Sequence, residues 1–397
     1  MFFVSLQYKL LSNTELLKST SLPERIALIE FDSSHDECLL TQINALKKRG
    51  CWVVLVTNEC IRKRNQHLEP LVNEWIDIDP RGVGLTGAAI GDALIIRLLM
   101  RKLKTEKIDR AIFNTAQGGH VRNACLFSLF RKIEFVGIIH TIRKFQGSFT
   151  QKIIHLKIKK YFVLGEFLLQ SVLSTSLNQQ TKTKLIERSR KQRSKLKIEP
   201  FYPLDFPNIP TDFELGDQTH ISLIGTVENR RKDLDGFISL IQQCSPEVTF
   251  SFLGKADPSN TEVIEFKEKL AEINCLNRVE FFEKFISTET ISRILRKSSA
   301  ILPLVHPNTS SAKEYFRNQI PGAMTVALGY KIPLLLHESF RMIKELNPAS
   351  VYYELDTFTA SLNELRSTEK NIRKTVELTE KYTSEYQQNA FLKFVFT

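Results

Sequence analysis

The sequence predicts an α/β protein built from two Rossmann-like, doubly wound domains facing each other across a cleft. Three observations carry that reading. Continuous apolar runs of strand length alternate with segments whose apolar residues recur at helical spacing, as in a parallel sheet covered by helices on both faces. The alternation breaks once, over 199–219 at "EPFYPLDFPNIPTDFELGDQT", and then restarts. At 397 residues, the chain also exceeds what one core of ordinary size organises.

The first domain is expected over 1–205. "RIALIEF" (25–31) reads as a buried strand, and "HDECLLTQINALKKRG" (35–50) as a helix stopped by Gly50. "CWVVLVTN" (51–58) and "WIDID" (75–79) are further strands, with a helix over 88–104. "RAIFNTA" (110–116), a helix over 120–131, "EFVGIIHT" (134–141) and a strand–helix pair over 160–174 continue the pattern. Pro200, Pro203, Pro207 and Pro210 cannot continue a helix or a central strand, so 199–219 reads as a break, with the linker proper at 206–219. The second domain, 220–370, opens with "HISLIG" (220–225) and a helix over 233–243. It continues through "VTFSFLG" (248–254), a helix over 259–273, "RVEFFE" (278–283) and a helix over 287–297. "AILPLV" (300–305), a helix near 315–328, "IPLLLH" (332–337) and "SVYYEL" (350–355) complete it. A helical stretch over 357–390 follows, and 371–397 is expected to pack back on the first domain.

Composition narrows the function. Hydrophobic residues at 42% and charged residues at 25% fit a globular chain. A formal net charge of +11 points to anionic partners, among them nucleotide phosphates and anionic membrane surfaces. The six cysteines are scattered, with no spacing that holds zinc, which favours a reducing cytoplasm. "MFFVSLQYKLL" lacks the basic start and cleavage site of a secretory leader, and no run approaches the ~20 apolar residues of a spanning helix. The expectation is a cytoplasmic protein, peripheral on the inner face of a membrane.

The stretch "SLIGTVENRRKDLDGFISLI" (222–241) crowds Arg230, Arg231 and Lys232 between a strand ending at Gly225 and a helix starting near Asp233. In doubly wound sheets ligands bind beyond the carboxyl ends of strands, beside helix N-termini that attract anions. A diphosphate there would relieve the repulsion among the three cations, with Arg231 and Lys232 turned towards it and Arg230 outward. His35, His120 and His140 all fall at carboxyl ends of strands, where imidazole can hold sugar hydroxyls or exchange protons. "TKTKLIERSRKQRSKLK" (181–197), with Lys182, Lys184, Arg188, Arg190, Lys191, Arg193, Lys195 and Lys197, could form a basic face for an anionic leaflet. It lacks the interleaved aromatics of a nucleic-acid binder, so nucleic acid is not expected as a partner.

In this order, the segments resemble the GT-B glycosyltransferases, and more narrowly the nucleotide-sugar-dependent family-four type. "LIGTVENRRKDLDGFISLI" is similar to the family's opening of the donor domain, with Lys232 where the family lysine meets the donor diphosphate. "FLGKADPSN" (252–260), holding Lys255, resembles its second glycine-ended strand, and "AMTVALGYKIPLLL" (323–336) its small-residue helix before a proline-led strand. "GIIHTIRKF" (137–145) resembles the acceptor-side strand that ends in a cleft histidine. The family's two glutamates, eight positions apart, are absent: Glu314 is followed at that distance by Gly322. Lys313, Glu314, Tyr315 and Arg317 are the substitutes at hand for holding the donor.

The resemblance implies a retaining transferase working without a metal or a cofactor beyond its nucleotide-sugar co-substrate. His35 and His140 would be catalytic, and Gly225, Arg231 and Lys232 would hold the diphosphate. Lys255, Lys313, Glu314 and Tyr315 would hold the donor nucleotide or sugar, and the acceptor would be a glycan or a lipid-linked sugar in surface polysaccharide synthesis. Two alternatives stay open: a non-catalytic glycosyltransferase-like binding subunit, and a GT-B nucleotide-sugar epimerase.

Overall fold

A computed structural model describes residues 23–78, 88–145, 147–178, 196–207 and 218–397. Two parallel sheets organise the chain. The first holds β1 (Arg25–Ile29), β2 (Trp52–Thr57), β3 (Glu74–Asp77), β4 (Arg110–Phe113), β5 (Glu134–Ile139), β6 (Lys160–Val163) and β7 (Lys197–Pro200), in the order β3-β2-β1-β4-β5-β6-β7. Its helices are α1 (Leu39–Lys48), α2 (Glu59–Arg64), α3 (Ala88–Thr105), α4 (Gly118–Phe127), α5 (Ile142–Phe145), α6 (Phe149–Lys157) and α7 (Glu166–Asn178). The second sheet holds β8 (His220–Ile224), β9 (Thr249–Lys255), β10 (Val279–Phe282), β11 (Ala300–Ile301), β12 (Leu334–His337) and β13 (Ser350–Tyr353), in the order β10-β9-β8-β11-β12-β13. Around it lie α8 (Leu234–Gln243), α9 (Thr261–Glu272), α10 (Thr288–Lys297), α11 (Ala312–Tyr315), α12 (Gly322–Tyr330), α13 (Phe358–Leu378) and α14 (Ser384–Phe396).

The central strands form because their runs are apolar on both sides. Ile26 to Ile29 and Val53 to Val56 are at most 1% exposed, sealed by helices on each face. Helix starts are fixed by side-chain caps: Asn58 accepts from Ile61 N–H, Ser148 from Gln151, Asp233 from Gly236, Asn260 from Glu262 and Ser287 from Thr290. Each cap satisfies a donor that the first helical turn leaves open.

Four expected boundaries differ. The proline-rich break begins later than 199, because Lys197–Pro200 pairs with β6 as an edge strand. Pro200 sits at its last position, where a missing donor costs no ladder bond. The strand expected over 300–305 pairs only at Ala300–Ile301, since Leu304 turns to φ +57°. The helix near 315–328 is two, α11 and α12, separated by Pro321. The stretch over 357–390 is also two: α13 runs through 371 to Leu378, and a turn at Glu380–Tyr382 precedes α14.

α14 lies on α1, and its Phe391, Phe394 and Val395 enter the first domain's core. Phe162 of β6 stacks on Phe391 at 5.2 Å and meets Phe394 edge-on at 4.7 Å. Asp205, leaving the first domain, accepts from Asn44 of α1 and Gln388 of α14, both at 2.7 Å. The domains are pinned at Glu345, before β13. Its carboxylate accepts the Glu166 and Phe167 N–H groups at the start of α7, at 2.9 and 3.1 Å, and the Tyr202 hydroxyl at 2.5 Å. No helix among the described residues is long and apolar enough to cross a membrane.

Candidate functional site

In each sheet the strand order reverses once, between β1 and β4 and between β8 and β11. Such reversals open a crevice beyond the strand ends. In the first domain the crevice is built on Asn114, just after β4. Its amide donates to Glu30 Oε2 at 2.7 Å and to the His35 carbonyl at 2.8 Å, while its own Oδ1 accepts from Gln42 at 2.6 Å. Its backbone carbonyl accepts from His140 Nε2 at 2.8 Å. His140 Nε2 therefore carries the proton, and Nδ1 is a buried lone pair with no partner among the described residues.

His35 has φ +67°, a left-handed turn that swings its ring onto His140, with centroids 3.7 Å apart and planes 22° from parallel. The two rings have opposite proton affinities. Burial pushes His140 down to about 3, and the charge of His35 adds to the effect. Burial works the same way on His35, but Glu37, Glu30 and Asp32 outweigh it and raise its pKa. Glu37 Oε1 lies 3.6 Å from His35 Nδ1; burial opposes its ionisation, yet the neighbouring His35 holds it down to about 2. Burial pushes Glu30 up to about 7, against hydrogen bonds from Thr115, Asp32 N–H and Asn114. The site thus sets a histidine that favours its proton against one that stays neutral.

In the second domain, the three cations of the basic turn have different surroundings. Lys232 is 4% exposed, and its Nζ donates to the Ile224 carbonyl at 2.8 Å. Burial lowers its pKa to about 8. Lys232 is therefore not at the surface of the turn, which folds its side chain under Gly225. Gly225 has φ +95°, and a Cβ there would stand 3.3 Å from the ammonium. Gly254 lets β9 approach this turn, because its Cβ would lie 2.2 Å from the Gly225 carbonyl carbon. Arg230 and Arg231 are both more than half exposed and both reach Glu228, at 3.6 and 2.9 Å. The contrast expected between an outward Arg230 and an inward Arg231 is not present. Part of the repulsion among the cations is answered inside the protein, by Glu228.

The α8 N-terminus differs from expectation too, because Asp233 already occupies it. Asp233 Oδ1 caps Gly236 N–H at 2.8 Å, and Oδ2 accepts from His306 Nδ1 at 2.7 Å. His306 Nε2 meets the Tyr353 hydroxyl at 2.7 Å. This buried chain fixes the residue next to Lys232. The start of α12 is without a side-chain cap, at Pro321, and Gly322 there is exposed.

The remaining candidates separate. Ser311 N–H donates to the Arg230 carbonyl at 3.2 Å, bringing α11 to the basic turn, with Tyr315 buried there. Glu314 points the other way, to Arg143 of the first domain at 2.9 Å. Ile142 N–H donates to the Asn318 carbonyl at 2.9 Å, so the loop after His140 touches the loop after α11. Lys313 and Arg317 are exposed, and Lys255 is exposed and paired with Asp257 at 2.5 Å. His120 stands apart, 3.2 Å from Asp92. Of the basic run, Lys197 alone is described; Lys182 to Lys195 lie outside the described residues. Glu30, Glu37, Asn114, Glu228 and His306 were missed, although Glu30 ends an otherwise apolar run.

A cavity of about 190 Å³ opens between the domains, with Glu37, Leu40 and Arg64 on one side and Ile224, Phe285 and Tyr330 on the other. It is smaller than the ~300–1,000 Å³ of whole small-molecule sites, so it suits one part of a ligand. Arg64 sits over the Phe285 ring at 5.4 Å, closing it from the first domain.

No protein-family model matches the chain, and no curated protein does. Solved structures do. A glycosyltransferase from Rickettsia africae is 11% identical, with 94% of this chain and 97% of that one covered, at a TM-score of 0.59. A UDP-GlcNAc 2-epimerase from Neisseria meningitidis, bound to UDP-GlcNAc, is 14% identical over 94% of this chain and 99% of its own, at 0.55. An Anabaena protein in complex with UDP-glucose is 12% identical over 93% and 95%, at 0.59. At such identities the likeness is one of fold: the chain has the two-domain GT-B architecture.

Proposed function

We propose that the protein is a glycosyltransferase using a nucleotide-sugar donor, bound on the second domain, and a glycan or lipid-linked acceptor, bound on the first. One observation carries the reading. The buried Lys232 ammonium and the Arg230–Arg231 pair stand at the reversal point of one sheet, and the stacked His35–His140 pair stands at that of the other. A diphosphate leaving group would develop charge beside Lys232, where low dielectric makes one cation worth several kcal/mol. It would compete with Glu228 for Arg231. Of the pair, His35, with the raised pKa, is the stronger base and suits taking a proton from an acceptor hydroxyl, while His140 stays neutral beneath it and holds its ring in place.

The narrower placement with retaining family-four enzymes rests on the order of the motifs, and the site departs from that pattern at Gly322. A second reading, a nucleotide-sugar epimerase, is favoured by His35 and Glu30, both raised in pKa and both held by Asn114, because two such groups side by side suit proton exchange at a sugar carbon. Incubation with a panel of nucleotide sugars in deuterated water separates the readings. Release of free nucleoside diphosphate with transfer to an added acceptor supports the transferase. Deuterium in a sugar of changed configuration supports the epimerase. Thermal stabilisation by a donor, with neither outcome, supports a binding subunit.

A further inference from the structure

The chain's charge is unevenly placed. Residues 88–160 contain fifteen Lys and Arg against four Asp and Glu, a surplus of eleven, of which Arg110, Lys102 and Arg143 pair with Glu24, Glu74 and Glu314 outside the segment. That segment supplies α3, α4 and α6, the crossover helices that lie side by side over one face of the first sheet. His120 to Asp92 ties the starts of α3 and α4, and Arg131 to the Met100 carbonyl ties their ends; Lys157 to the Arg131 carbonyl ties in α6.

The outer side of this layer is also apolar. Of the thirteen large hydrophobic side chains exposed among the described residues, six are here. Leu94 and Leu98 stand one turn apart on α3, Leu126 and Phe130 at the end of α4, and Phe149 and Leu156 on α6. Phe130 is fully exposed and Phe149 is 76% exposed, positions at which an isolated soluble surface gains nothing from an aromatic ring. Arg97, Arg101, Lys132 and Lys152 are exposed on the same helices and connections.

We propose that this three-helix face docks on an anionic phospholipid surface, with Phe130 and Phe149 entering the acyl boundary and the surrounding cations meeting headgroups. A second copy of the chain fits less well, because it would bring two strongly positive faces together. Phe149 begins α6 at the cleft end of the layer, next to α5 and the Ile142 contact with the second domain. Docking there would hold the acceptor side of the cleft at the lipid surface. That consequence rests on the function proposed above; the surface itself does not.

The test is flotation of the full chain with vesicles of phosphatidylcholine mixed with phosphatidylglycerol, against pure phosphatidylcholine. The parent should bind the mixed vesicles, and part of the binding should survive high salt, since apolar insertion is not screened. Phe130→Ser with Phe149→Ser should weaken binding about tenfold per phenylalanine, with an unchanged thermal midpoint because both rings are exposed. Arg97→Gln with Arg101→Gln should weaken it chiefly at low salt. Absence of binding by the parent, full binding by the phenylalanine variant, or self-association in solution that the same variant abolishes would each overturn the proposal. Nucleoside-diphosphate binding measured without vesicles should be equal in parent and variant. Its absence in the parent would count against the reading of the cleft and leave this one standing.

Discussion

Replacing Lys232 with methionine should abolish most nucleoside-diphosphate affinity without destabilising the protein. The ammonium is 4% exposed, with a hydrogen bond to the Ile224 carbonyl. Its pKa falls from 10.5 to about 8 through burial, with Glu228 opposing and Arg231 assisting. At about 1.4 kcal/mol per tenfold, that shift sets a penalty near 3 kcal/mol on holding the charge in the fold. Methionine removes the penalty and keeps most of the volume, but leaves the Ile224 carbonyl without its donor, a loss of about 1–3 kcal/mol. The net is between roughly no change and 2 kcal/mol of stabilisation. Alanine also deletes three buried methylenes, at about 0.8 kcal/mol each, so it should be less stable than methionine by about 2 kcal/mol.

The parent's deficit should close with rising pH. Its folded pKa lies below the unfolded value, so between about 8 and 10.5 the unfolded chain binds more protons and stability rises with pH. Urea unfolding of the three proteins near neutral pH and near pH 10, with calorimetry for nucleotide binding, checks every term. A methionine variant that is clearly less stable than the parent at neutral pH would refute the burial argument. One that binds the nucleotide equally well would refute the functional one.

Three further outcomes are expected. Glu345→Gln leaves one carbonyl oxygen for the three donors that Glu345 now serves, so domain docking should weaken by about 1–3 kcal/mol. It should show as a lower thermal midpoint and faster proteolysis between the domains, and an unchanged midpoint would argue against the pin. His35 has a raised folded pKa, so its contribution is fully present below about 6.5 and is lost as pH rises through the folded value. The stability gap between the parent and His35→Gln should therefore shrink above neutrality, and a gap that widens would reverse the assignment. Glu314→Gln breaks an ion pair whose Arg143 is 66% exposed, and should change stability by less than about 1 kcal/mol. A marked loss of donor affinity in that variant would return Glu314 to the donor site.

The strands were readable because each central run is apolar on both faces and contains no proline. β7 was hidden for the opposite reason: its side chains alternate between exposed and half-buried, as on an edge, and it ends in Pro200. The placing of His35 and His140 at strand ends followed from the alternation, but their stacking did not. It needs a left-handed histidine and an Asn114 that bridges to both, and neither has a spacing signature. Glu228 stood in plain view within "TVENRRK", yet its pairing with Arg230 and Arg231 depends on how the turn closes. The burial of Lys232 has no sequence signal, because a cation in a loop is ordinarily solvated. Gly225 closes over its ammonium, and Gly254 lets β9 approach that turn.

The seating of α14 on the first domain has a consequence for the order of events on the ribosome. All seven strands of the first sheet have been synthesised once Pro200 has been added, but Phe391, Phe394 and Val395 come only after the whole second domain. Domains generally fold as units in order of emergence. Here the nascent first domain must wait with the faces of Phe162 and Phe201 uncovered, since both pack against Phe391. A helix made after the whole second domain thus closes the domain that precedes it. A chain interrupted before residue 391 would present an exposed aromatic cluster to chaperones and proteases, even though every strand of both sheets was already in place.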